Sequence, residues 1–323
     1  MNAKPFLLTP AGKDYLWGGE RLKTEYGCNL PLTPFAEAWV CSAHGDGQSI
    51  AASGAYGGRT LADVLHTQPE LLGTHAAALA SGEMPVLVKL IDAKRDLSVQ
   101  VHPDDAYARA HEGQSGKTEL WYVLDAAPDA SLVYGFSHDI TPDAVRAAVA
   151  EGTLAKHLQR VRVHRGDVFF IPPGTVHAIG AGILLAEIQQ SSNVTYRLYD
   201  YDRLDKNGQK RTLHLDRALD VADLTQAGQV HQQMRVLHYH TRWAAELLGR
   251  CAGFRAVRLL VSQRCAYTVG GDSFACCLCI AGEGTLCAAG ETLPLKKGAC
   301  AFLPANAGLT AFSGSMELLW VTC

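Results

Sequence analysis

A chain of 323 residues, 48% of them hydrophobic, has room for about two domains and is too apolar to be disordered. Lysine and arginine number 29 against 32 acidic residues, a net charge of −3, which excludes a broadly basic surface for nucleic acid or anionic lipid. No run of about 18 apolar residues is present to cross a bilayer, and PFLL near the N-terminus is too short for a signal-peptide core, so a cytoplasmic protein is expected.

Taken in chain order, residues 59–80 (RTLADVLHTQPELLGTHAAALA) predict two short amphipathic helices broken at Gln68-Pro69. Short strands rich in Val, Leu and Ile follow at 86–91, 97–101 and 119–124. Residues 141–158 predict a helix, with Thr141 as N-cap, Pro142 in its first turn and Val145, Val149, Leu154 and Leu158 at helical intervals around Gly152. Strands resume at 168–171 and 183–188, then at 255–262, 273–281, 285–288, 300–303 and 316–322. So many short strands divided by Gly and Pro predict a mainly β protein, a sandwich or a barrel. Of the ten cysteines, eight lie beyond residue 250, three of them within FACCLCI. Lacking paired CxxC spacing, they read as free thiols acting as small hydrophobes in buried strands, not as disulfides or a zinc knot.

An internal repeat stands out. Gly166-Asp-Val-Phe-Phe-Ile-Pro172-Pro-Gly174-Thr-Val-His177 lies over Gly298-Ala-Cys-Ala-Phe-Leu-Pro304-Ala-Asn306-Ala-Gly-Leu309 at a constant offset of 132 (298 − 166). Each copy reads as a turn glycine, a buried strand and a proline-led turn that presents the next side chain inward. In the second copy Leu309 stands where His177 stands in the first, and no histidine follows His240. One copy is equipped for chemistry; the other is expected to be a metal-free scaffold.

Four candidate ligands fall on the strands of the first half. Gln100 and His102, two apart in LSVQVH, share a strand face. Glu119 opens ELWYVL, and His177 follows the PPGTV turn. Two imidazoles, a carboxylate and an amide oxygen suit a divalent ion such as zinc while leaving room for water or substrate. His238 and His240 alternate as well, but no carboxylate lies nearby.

The segment 166–177 matches the second cupin motif, G-x5-P-x-G-x2-H, although Ala181 replaces its final asparagine. Against the first cupin motif there are two departures: Gln100 replaces a histidine, and sixteen residues separate His102 from Glu119. The ordered run QVHPDD, KTELWYVL, PPGTVHAIG and LLAEIQQSSNVTYRLYDYDR resembles the type I mannose-6-phosphate isomerases (phosphomannose isomerases) in their short bacterial form. The resemblance covers about residues 5–220, including EAWVCSAH, and the last hundred residues resemble the family only as a degenerate second cupin.

The resemblance implies two cupin-type β-barrels of jelly-roll form, the second degenerate, with a small helical subdomain in the N-terminal part. The expected domains are 1–232, catalytic, with helical insertions at about 59–80 and 141–158, and 233–323, metal-free. It implies Gln100, His102, Glu119 and His177 as zinc ligands, Arg197 as the active-site arginine and Lys117 as a lysine beside the metal. Lys89 and Glu187 match two further pocket residues, the latter with a spacing from His177 that differs by one. Ser98 and Arg203 fall at phosphate-contacting positions, Arg203 in place of a lysine.

The expected function is therefore zinc-dependent interconversion of mannose 6-phosphate and fructose 6-phosphate through an enediol, with Glu187 or Lys117 as proton shuttle. A non-catalytic sugar-phosphate-binding cupin and an Fe(II) cupin oxygenase are the alternatives, the second disfavoured by Gln100. The expected partner is a small sugar phosphate, with no nucleic acid or membrane, for a monomer or homodimer.

Overall fold

The computed structural model describes residues 4–204, 208–230, 232 and 234–323, so the division expected between 232 and 233 falls beside a residue outside them. A six-stranded sheet runs in the order Val168–Ile171, Glu119–Ala126, Ile183–Gln190, Val86–Ala93, Glu37–Cys41 and Ala11–Lys13. Every residue of Val86–Ala93 is buried, because the sheet is covered on both faces. One face packs Ile91, Trp121, Val123 and Leu185 against Leu132 of the sheet opposite and Ile179, just past one of its strands. The other packs Val88, Leu90, Leu120 and Ala186 against Phe254, Phe274 and Leu319 of the C-terminal half. Burial of each such large side chain contributes about 1.5–3 kcal/mol.

The facing sheet has five strands, Tyr196–Tyr199, Val99–Val101, His177–Ala178, Ser131–Phe136 and Leu158–Arg162. The fold is mainly β and cupin-type, as expected, but the closed barrels are not formed: the sheets face each other with open edges. In the C-terminal half, eight strands between Leu237 and Thr322 join Phe6–Thr9 and Ile50–Ala51 in a ten-stranded sheet. The first strand of the chain is thus hydrogen-bonded to Cys300–Leu303, with Phe6 opposite Phe302. The strands expected at 273–281 and 285–288 are one strand, Ala275–Ala288, bent by an irregularity between Cys279 and Ala281. An ion network also joins the halves: Tyr122 donates to Glu317 (3.0 Å), and Arg258 donates to Tyr122 (2.7 Å).

The first helical region is as expected, Leu61–Thr67 and Thr74–Leu79 flanking a 3-10 turn at Pro69–Leu71. The second differs. Thr141 caps Pro142–Ala150 by accepting from the Ala144 amide (3.3 Å), but the helix stops before Gly152 and Leu158 opens a strand. Among the described residues, three α-helices were not expected, Arg21–Thr24, Asp105–Glu112 and Leu215–Val221. Among the described residues, no helix is long and apolar enough to cross a membrane.

The repeat is visible as structure. Gly166 and Gly298 both take a left-handed φ, 90° and 89°, ahead of the strands Val168–Ile171 and Cys300–Leu303. The copies then part. His177 is fully buried, whereas Leu309, expected to point inward, is 66% exposed and its neighbour Thr310 is buried instead. Side chains alternate along a strand, so a one-residue difference in register sends the matching position to solvent.

Candidate metal and active site

Strand register builds the site. On the five-stranded sheet Gln100 lies directly opposite both His177 and Arg197, which sets these three side chains in one row across three strands. On the six-stranded sheet Trp39, Lys89, Glu187 and Trp121 form a second row, each opposite the next. Glu119 precedes Trp121 by two and so shares its face. The two rows meet in the space between the sheets.

There the His102, Glu119 and His177 ligand atoms lie within 4.8 Å of one another, all fully or almost fully buried. His102 Nδ1 donates to the Val194 carbonyl (2.8 Å) and His177 Nδ1 to the Thr175 carbonyl (2.9 Å). Each ring therefore turns an unprotonated Nε2 toward Glu119, at 3.2 Å and 3.7 Å from its oxygens. Burial keeps both rings neutral: it lowers His177, and together with the Lys117 charge it brings His102 down to about 3. Two nitrogen lone pairs aimed at a carboxylate repel unless a cation lies among them. Backbone-anchored imidazoles are also how proteins orient metal-bound histidine.

Glu119 supports the same reading. Burial raises its pKa, but Lys117 and the histidines outweigh burial and hold it well below the usual carboxylate range. Its Oε1 lies 2.6 Å from Lys117 Nζ yet has no well-aligned hydrogen bond. The Lys117 ammonium, also 3.3 Å from His102 Nε2, sits against the atoms a metal ion would take. Gln100 Nε2 is 3.4 Å from His177 Nε2, and turning the amide over presents its oxygen to the same point. The donor set fits a divalent metal.

Beside the cluster lies a cavity of about 260 Å³, lined by Lys89, Ser98, Gln100, Lys117, Glu187 and Arg197 among others. Glu187 is fully buried, and burial followed by repulsion from Glu119 raises its pKa. Its Oε2 accepts from Trp121 Nε1 (3.0 Å), which also donates to Glu119 (3.0 Å), tying the two carboxylates together. Its Oε1 has Lys89 Nζ at 3.1 Å but no well-aligned hydrogen bond. Burial alone would lower Lys89, yet Glu187 and Glu37 outweigh it, so this lysine stays charged. Arg197 donates to Ser98 (3.2 Å) and to the Thr212 carbonyl (2.9 Å).

Arg203, expected at a phosphate-contacting position, does not line this cavity. Its guanidinium is taken up by the Asp200 carboxylate and the Asp96 carbonyl. Arg211 lines the cavity instead, donating to both Asp200 oxygens, from Nε (2.6 Å) and Nη2 (2.5 Å). Sequence reasoning also missed Glu37, Tyr15, Trp17, Asn193 and Thr195 on the lining. Glu37 was within sight in EAWVCSAH, since a carboxylate opening a buried strand needs a partner. Nothing in the residues around Arg211 distinguished it from Arg203. Among the described residues, His238 and His240 gather no carboxylate: His240 is exposed and stacks on Trp243 at 3.8 Å.

Comparison with known proteins gives the family. Residues 6–127 match the family model for the catalytic domain of type I phosphomannose isomerase, and 257–323 match the cupin domain of mannose-6-phosphate isomerase. The chain is 36% identical to the Bacillus subtilis mannose-6-phosphate isomerase ManA over 99% of both chains. It is 42% identical to the Streptococcus mutans mannose-6-phosphate isomerase over 68% of each. A crystal structure of mannose 6-phosphate isomerase from Bacillus subtilis superposes with a TM-score of 0.90 at 33% identity, covering 99% of both chains. The chain belongs to the type I phosphomannose isomerase family and is an enzyme of the aldose–ketose isomerase class.

Proposed function

From that membership we propose that this chain interconverts mannose 6-phosphate and fructose 6-phosphate through an enediol. A divalent metal, zinc by its donor set, would be held by Gln100, His102, Glu119 and His177. The observation that carries this is two imidazole lone pairs and a carboxylate converging beside a cavity of four cations and two anions. Lys89, Lys117, Arg197 and Arg211 oppose Glu37 and Glu187, a net of +2 (4 − 2) that suits a phosphate dianion. The metal, when bound, supplies positive charge that polarises the C1 and C2 oxygens of the sugar.

Glu187 takes the C2 proton of the aldose and returns it at C1. Its raised pKa brings it nearer the working pH than a solvent carboxylate, and its Oε1 is not spent on a hydrogen bond. Lys89 and Trp121 position that carboxyl group. Arg197 stabilises negative charge growing on the substrate oxygen, pre-oriented by Ser98 and the Thr212 carbonyl. Arg211 takes the phosphate, with Asp200 bracing the guanidinium. Residues 1–232 act as the catalytic domain and 233–323 as a companion lacking ligands at the His177 position. The enzyme works in the cytoplasm as a monomer or homodimer.

The test is an assay of chelated and zinc-restored protein on mannose 6-phosphate, with coupled detection of fructose 6-phosphate. Turnover lost on chelation and restored by zinc is expected. Saturable binding without turnover in the zinc form would make the chain a binding module, and oxygen consumption by an iron form would make it an oxygenase; either overturns the proposal.

A further inference from the structure

All ten cysteines are free thiols, and three of them, none on the cavity lining, meet in the core. Cys41 ends the Glu37–Cys41 strand of the six-stranded sheet. Cys276 and Cys300 lie diagonally on neighbouring strands of the ten-stranded sheet, Cys276 opposite Phe302 and Cys300 opposite Leu278. The Cys276 and Cys300 sulfurs are 3.4 Å apart, and all three sulfurs lie within 4.8 Å of one another. Exposure is at most 1% at each. Among the described residues, no other trio of His, Cys, Asp or Glu gathers so closely except the catalytic one.

Charge selects the occupant. The trio belongs to the core that holds Phe6, Val40, Phe274, Phe302 and Leu319, hydrocarbon and aromatic surroundings that offer no countercharge. Three thiols that bind a metal centre lose three protons. A divalent ion would leave one negative charge in that core and lack its fourth ligand; a monovalent ion would leave two. A trivalent, thiophilic centre of three-fold coordination leaves none.

We propose that Cys41, Cys276 and Cys300 form a buried trithiol site for a trivalent metalloid of the arsenite class, held as a neutral tris-thiolate. The step is a condensation: As(OH)3 and three Cys–SH give As(S–Cys)3 and three waters. Three S–H and three As–O bonds break, three As–S and three O–H bonds form, and no electron is transferred. Reactant and product are both uncharged, so entry needs only the local openings that native proteins undergo. The bound centre pins the catalytic half to the C-terminal sheet.

The experiment uses the reduced full-length protein with arsenite as probe. Native mass spectrometry is expected to show one arsenic per chain less three protons, and arsenic-edge X-ray absorption a shell of three sulfurs. The melting temperature rises with arsenite, since the ligand binds the folded form. Cys300→Ala and Cys41→Ala, one from each sheet, lower the affinity at least tenfold, while Cys277→Ala and Cys265→Ala retain it. Two substitutions on different sheets keep the test decisive where one fails to fold. The proposal falls if the folded protein takes no arsenic, if the shell contains oxygen or nitrogen, if both variants bind as the parent does, or if zinc displaces arsenic from the trio. An all-sulfur shell also separates this site from the nitrogen and oxygen donors of the catalytic cluster.

Discussion

Residues 166–177 and 298–309 begin alike, with a left-handed glycine, a four-residue strand (wholly buried only in the second copy), a proline and a second left-handed residue at Gly174 or Asn306. They end differently. The first delivers a fully buried imidazole toward a carboxylate on the sheet opposite, and the second leaves a leucine 66% exposed. The turn–strand–turn frame therefore does not by itself make a site. Chemistry arises where the frame's last residue faces a second row of polar side chains, here Lys89, Glu187 and Glu119. The second copy has found other work. Its glycine lies against the Tyr26 backbone, so it joins the two halves of the chain.

The sharpest way to break this comparison is to remove a donor from the first half and the matching residue from the second. His177→Ala is expected to lose the metal and lower turnover by about a thousandfold or more, several kcal/mol of transition-state stabilisation. Leu309→Ala should leave kcat unchanged and stability within about 0.5 kcal/mol. Metal analysis and the coupled assay check both. Glu187→Gln comes next: kcat falls by about 10²–10⁴-fold while metal content is kept, which separates the proton carrier from the ligands.

Stability effects reverse the order of the two halves. A Cβ at Gly298 would lie 1.9 Å from the Tyr26 carbonyl oxygen, whereas one at Gly166 meets nothing within 4 Å. Gly166→Ala therefore costs about 1–2 kcal/mol, from left-handed strain alone, and Gly298→Ala costs more, with a larger drop in melting temperature. A smaller loss at 298 than at 166 would refute the role given to the second copy.

The smallest effect concerns pH. Burial raises the Asp200 carboxyl, but hydrogen bonds from Arg211 and Arg203 outweigh it and hold its pKa below the usual value. A depressed pKa contributes stability that is fully present above the unfolded value of about 3.9 and lost as pH falls toward the folded one. The stability gap between the parent protein and Asp200→Asn should thus be largest above about pH 4 and narrow on acidification. Urea unfolding from pH 3 to 6 measures it.

Much of the site was legible because its donors sit at strand ends or two apart on one strand, where alternation alone says which share a face. Gln100 with His102, Glu119 and His177 are of this kind. The helix Asp105–Glu112 escaped although its signals were present, Asp104 as N-cap (2.8 Å to the Tyr107 amide) and Gly113 just past its end. Arg203 and Arg211 were not separable in one dimension. Both are arginines that donate to Asp200, and only Arg211 lines the cavity, while Arg203 is also held by the Asp96 carbonyl.

Residue order alone determined a mainly β chain with one chemically equipped repeat and one bare one, because periodicity and the identity of ligating side chains are local properties. Folding in three dimensions decided that the barrels stay open, that the first strand joins the last sheet, that Arg211 lines the cavity and that Cys41 meets Cys276 and Cys300. Each of these turns on register and on competition for partners far apart in the chain, and a strand carries no local record of the neighbour it will pair with.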